Sequence, residues 1–175
     1  MTKETIDEAL WNFCVDVYAR DGVQEECFAL QDRLGADVNL VLAFAYLGAI
    51  ERAFVPQSDI SDAISVVQTW NTEAVEYLRS ARKTLKLFGP TCDAPIATRV
   101  ESLRKKLKEI ELDSERIELS MLAYWTAKKL EQWPRGEADK AVAANISATL
   151  DLYTKQDRSI TTHQLIKAAL NYRMR

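Results

Sequence analysis

The sequence predicts an all-α protein, a single-domain helical bundle of about seven to eight helices over residues 1–175. Two observations predict it. Apolar residues recur at three- and four-residue spacing along most of the chain, and no segment alternates with period two. The five glycines and four prolines fall almost entirely between the helical segments, too few for the many turns of an all-β fold. At 175 residues, 47% hydrophobic and 28% charged, the chain is too apolar for disorder and long enough to bury roughly 70% of its unfolded surface.

Each element follows from its spacing and punctuation. Thr5 and Glu8 form a capping box ahead of Ile6, Leu10, Phe13, Cys14, Val17 and Tyr18, and Asp21-Gly22 ends this helix. A second helix over Val23 to Leu34 stops at Gly35. Asp37 caps a third, Val38 to about Phe54, apolar nearly all round and therefore central, with Pro56 closing it. Ser58 or Asp59 starts a fourth through Trp70, Asn71-Thr72 breaks or kinks it, and the pattern resumes to Leu85. Gly89 to Pro95 is the clear interruption.

Beyond it, Ile96, Val100, Leu103, Leu107, Ile110, Ser114, Ile117, Met121 and Tyr124 alternate spacings of four and three, a heptad-like seam. An uninterrupted helix over about 95–132 would be near 55 Å long. Pro134 and Gly136 end it. Glu137 to Lys155 forms a seventh helix, and Thr161 or Thr162 caps a short last one.

Composition and motifs narrow the chemistry. A formal net charge of -3 argues against a dedicated nucleic-acid binder. The acidic N-terminal residues carry no signal-peptide h-region, and the apolar run Val38 to Ile50 is short of the about 20 residues a membrane span needs. Cys14, Cys27 and Cys92 form no CxxC pair, which points to reduced thiols and a cytoplasmic protein. The single histidine, His163, reads as a surface or capping residue, so no metal site is expected. No phosphate-loop motif is present, and no cofactor is expected. A helix-turn-helix reading of residues 23–50 fails because Val38 to Ile50 has no Lys or Arg to hold phosphates. Trp11, Trp70, Trp125 and Trp133 read as core aromatics at helical spacing.

Two polar constellations remain. Arg79, Arg82, Lys83 and Lys86 form a basic stripe, reinforced by Arg99, Arg104, Lys105, Lys106 and Lys108. It reads either as a site for an anionic ligand, an acidic partner or an RNA backbone, or as a face salt-bridged to Glu109, Glu111 and Glu115. Gln31, Asp32, Asp37 and Asn39 cluster around Gly35, either as a structural polar clip or as a ligand contact; Asp37 is explained as an N-cap.

Leu10-Trp11-x-Phe13, Tyr18, Gly22-Val23 and Cys27-x-x-Leu30-Gln31-Asp32-x-x-Gly35-x-Asp37-Val38-Asn39 resemble a family of uncharacterised proteobacterial proteins of about this length. Trp70, Leu78-Arg79-x-x-Arg82-Lys83-x-x-Lys86 and Glu111-Leu112-x-x-Glu115 look like its further signature. The resemblance covers about residues 8–120 and leaves 121–175 as less recognisable helices. It implies an all-helical bacterial cytoplasmic protein and supplies no activity, substrate or catalytic residue. The leading expectation is a non-enzymatic protein that binds a macromolecular partner or a second copy through the seam. The rival is a small-molecule protein or enzyme in which Arg79 and Arg82 hold an anion between helices.

Overall fold

The computed structural model describes residues 3–153 and 159–173 and is all-α. Among the described residues are eight α-helices: α1 (Lys3–Tyr18), α2 (Val23–Ala29), α3 (Val38–Ala49), α4 (Gln57–Trp70), α5 (Glu76–Phe88), α6 (Ala94–Lys129), α7 (Ala138–Leu150) and α8 (His163–Leu170). π-helical turns at Leu30–Leu34 and Asn71–Val75 follow α2 and α4, and 3-10 turns at Gly89–Thr91 and Leu130–Gln132 follow α5 and α6. No described helix is long and apolar enough to cross a membrane. The chain divides into two compact units, Met1–Val66 with Leu119–Arg175, and Val67–Glu118.

In the first unit α3 is the hub, as its all-round apolarity requires. Leu40 to Leu47 are all buried, and α1, α7 and α8 pack against it. Phe13 of α1 meets the Tyr46 ring edge-on at a centroid distance of 5.4 Å, an arrangement that suits the aromatic quadrupoles. The crossing with α7 is close at Gly48, where an added Cβ would stand 2.5 Å from the Val142 backbone nitrogen. Only glycine allows backbones to approach that far.

Four boundaries depart from expectation. α1 begins at Lys3, so Thr5 sits inside the first turn and not at the N-cap. α3 stops at Ala49 and not at Phe54, because the following residues leave the helix: Arg52 takes a left-handed φ of 54° and Ala53 bridges Arg135. The side chain of Asn145 on α7 then satisfies that segment, donating to the Phe44 and Ala53 carbonyls at 3.2 and 2.9 Å and accepting from Val55 N at 3.0 Å. Pro56 opens α4 instead of closing α3, its carbonyl accepting from Asp59 N and Ile60 N. α7 ends at Leu150; the expected end at Lys155 lies outside the described residues. The break at Asn71-Thr72 takes the form of a π-turn, and the expected long helix runs without interruption over 36 residues.

Candidate functional site

The second unit, Val67–Glu118, is built around an antiparallel pair of helices, α5 and the first two-thirds of α6, joined at Gly89 to Asp93. Asp93 opens α6, its carbonyl accepting from Ile96 N and Ala97 N at 2.9 and 2.8 Å. Pro95 falls in the first turn, where its missing N–H costs nothing.

The surface between the two helices is charged. Arg79, with its side chain 12% exposed, donates to Glu76 at 2.6 Å, to Glu111 at 3.3 Å and to Glu115 at 2.8 Å. Arg82 grips Glu111 with two donors, Nε to Oε2 and Nη2 to Oε1. Burial works against the charge on Arg79, and the hydrogen bond and charge of Glu115 outweigh it; the hydrogen bond to Glu111 likewise raises Arg82. Further along, Trp70 Nε1 donates to the Ser114 carbonyl at 2.9 Å and Asn71 to the fully buried Glu118 at 3.1 Å. Such buried pairs contribute little net stability but fix which residues face one another, since a slipped register would strand a charge.

The basic stripe is therefore divided. Arg79 and Arg82 turn inward against α6, whereas Lys83 and Lys86 are exposed on the outer side of α5. Of the reinforcing cations, Arg104 pairs with Glu101 on its own helix. A shallow depression bounded by Ala97, Thr98, Glu101, Ser102 and Lys105 runs along α6 alone, away from the two inward guanidiniums.

The heptad seam also splits. Its members Val100, Leu107 and Ser114 turn toward α5, and the inward row adds Arg104, Glu111 and Glu118. Its other members in this unit stay about half exposed: Ile96 at 52%, Leu103 at 50%, Ile110 at 51% and Ile117 at 47%. On α5, Tyr77 is 67% and Phe88 59% exposed. The unit thus sets charges between its helices beside Leu78, Leu85, Val100 and Leu107, and leaves other large apolar side chains outside.

Around Gly35, the four polar residues stand on consecutive elements, and Asp37 among them is an N-cap. Gln31 and Asp32 lie in the π-turn, which Gly35 closes with a left-handed φ of 71°. Asp37 caps α3, accepting from Asn39 N at 2.9 Å and Leu40 N at 3.4 Å, while its own N–H donates to the Tyr153 hydroxyl. Asn39 is buried in the first turn of α3.

Other polar residues carry structure that no local sequence signal announces. The buried Glu26 of α2 caps α8 from 138 residues away, accepting from Gln164 N at 3.0 Å, Leu165 N at 2.9 Å and the Thr161 hydroxyl at 3.1 Å. Asp59 and Asp62 on α4 share Lys129, each at 2.7 Å, and accept from the indoles of Trp133 and Trp125. The hydrogen bonds from Lys129 and then Trp133 hold the Asp59 carboxyl below its usual range. Burial, then the Glu26 carboxylate, push the Cys27 thiol up to about 12, which leaves it protonated and inert at neutral pH. Among the described residues, no group of three or more His, Cys, Asp or Glu side chains is placed to hold a metal ion.

No curated protein and no solved structure matches the chain. Residues 9–122 match the model of a family described as "Protein of unknown function (DUF2390)". That stretch takes in most of α1, all of α2 to α5 and most of α6, and so the whole charged hairpin with its exposed apolar rows; α7 and α8 lie beyond it. By a match over more than half its length, the chain belongs to the DUF2390 family.

Proposed function

We propose that the chain is a non-enzymatic helical protein that binds a protein partner, with the exposed apolar rows of the α5–α6 hairpin as its docking surface. One observation carries this reading. Among the described residues, eight of the twelve large apolar side chains left exposed fall within Val67–Glu118, and six of the eight, all but Leu87 and Leu112, lie in these rows. Exposed apolar groups scattered singly are ordinary, but concentration on one small unit marks an interaction surface.

The anionic-ligand alternative has less behind it. Arg79 and Arg82 already direct their donors at Glu76, Glu111 and Glu115, so an incoming anion would have to displace carboxylates held within the same helix pair. The same reading takes the chain as a bacterial cytoplasmic protein, supported by the family resemblance and by three thiols outside any disulfide.

The test is capture from a lysate of the native organism with tagged wild-type chain and with a Phe88→Glu/Ile110→Glu variant, read by quantitative mass spectrometry. Proteins enriched by the wild type, the untagged chain included, should drop out with the variant. Equal recovery on both baits, or no enrichment on either, would remove the apolar rows as a docking surface.

A further inference from the structure

The geometry points to a specific occupant of that surface: a second copy of this chain, lying antiparallel so that α6 packs on α6 with Ile110 at the two-fold axis. The inference rests on the docking reading above and deepens it.

The face is a continuous one. On α5 the exposed row Tyr77, Ala81, Thr84, Phe88 precedes the inward row Leu78, Arg82, Leu85 by one residue. On α6 the exposed Leu103, Ile110 and Ile117 precede the inward Arg104, Glu111 and Glu118, again by one residue. One residue is a rotation of about 100° about a helix axis. Since the helices run in opposite directions, equal rotations carry both rows to the same side of the hairpin. Six half-exposed side chains, Tyr77, Phe88, Ile96, Leu103, Ile110 and Ile117, then offer on the order of 600 Å² per copy, and two copies face to face about 1,200 Å², the lower bound for a specific interface.

Charge selects both the partner and its direction. Residues 99–108 of α6 leave Arg99, Lys105, Lys106 and Lys108 exposed, while Arg104 and Glu101 pair with each other. Residues 109–118 leave Glu109 and Asp113 exposed against Arg116, since Arg79, Arg82 and Asn71 hold Glu111, Glu115 and Glu118 within the hairpin. A parallel pair would set the basic half on the basic half, whereas an antiparallel pair sets basic on acidic at both ends. The register follows from the same pattern. Centred on Ile110, Leu103 meets Ile117 of the second copy, and the exposed Lys106 meets the second copy's Asp113, twice by symmetry. Centred half a heptad earlier, between Leu103 and Ile110, Lys106 would meet itself. Rim charges of this kind contribute little affinity and much specificity of register.

Cysteine cross-linking tests the register directly. In a full-length Cys92→Ser background, where Cys14 and Cys27 are buried, Ile110→Cys should form an intermolecular disulfide with itself under mild oxidation. Leu103→Cys should form none alone, yet cross-link when mixed with Ile117→Cys. Lys106→Glu should weaken self-association about tenfold, and Lys106→Glu/Asp113→Lys should restore it. Failure of Ile110→Cys to cross-link, or identical behaviour of the single and double charge variants, would overturn the antiparallel pairing. If the chain stays monomeric but Ile110→Glu, with an unchanged helical circular dichroism spectrum, abolishes capture of a different protein, self-pairing is wrong and the docking reading stands. If neither association nor capture responds, both fall.

Discussion

At the residue scale, the strongest structural jobs fall to polar side chains that the sequence marks only by type. Glu26 illustrates this: it reads as a surface acid in a short helix, and its role as the cap of α8 depends on an approach between segments 138 residues apart. Glu26→Ala would leave the Gln164 and Leu165 amides without their acceptor, and chemical denaturation should show a loss of about 2 kcal/mol. Asp37 was legible because its partners are two and three residues away, within the reach of a capping rule. Asp59 gives a pH test. Its carboxyl lies below the usual range in the fold, so the stability it contributes is complete above about pH 4 and drains away as pH falls through the lower folded value. Asp59→Asn should flatten the acid limb of a stability-versus-pH curve; an unchanged limb would show that the pair with Lys129 does not form.

At the element scale, periodicity reported the helices faithfully because each has an apolar row, and glycine or proline marked most of their ends. The sequence places the end of α3 too late because Ala53, Phe54 and Val55 resume apolar residues after Glu51 and Arg52, and no glycine or proline intervenes before Pro56. What ends the helix is a tertiary clasp, Asn145 holding the backbone of 53–55, and no residue near position 50 encodes it. Gly48 belongs to this scale as well. Gly48→Ala would drive a Cβ into the backbone of α7 at Val142, and the helices would have to separate. A loss of about 2–3 kcal/mol and a lowered melting temperature are expected. A neutral substitution would mean that α3 and α7 are not packed so closely. In α6 the seam was visible in the sequence, but which of its two rows faced inward was not. That choice belongs to Arg79 and Arg82, whose demand for Glu111 and Glu115 rotates α6 so that carboxylates, and not isoleucines, meet α5.

At the scale of the whole molecule, two units with different chemistry share one chain. Met1–Val66 with Leu119–Arg175 encloses an aromatic and aliphatic core around α3, the ordinary solution for a helical bundle. Val67–Glu118 has charges between its helices and apolar rows outside them, which makes it the unit expected to gain most from a partner. The all-α class was legible throughout the sequence; this arrangement was not, because helical spacing alone does not say which row turns toward solvent. Sedimentation equilibrium across a concentration series measures the consequence most directly. The wild-type chain should pass from monomer to a discrete dimer with rising concentration, and Ile110→Glu, which sets two carboxylates against each other at the axis, should remain monomeric with its helical content intact. A wild-type chain that stays monomeric throughout, or an Ile110→Glu variant that dimerises as well as the wild type, would contradict the account.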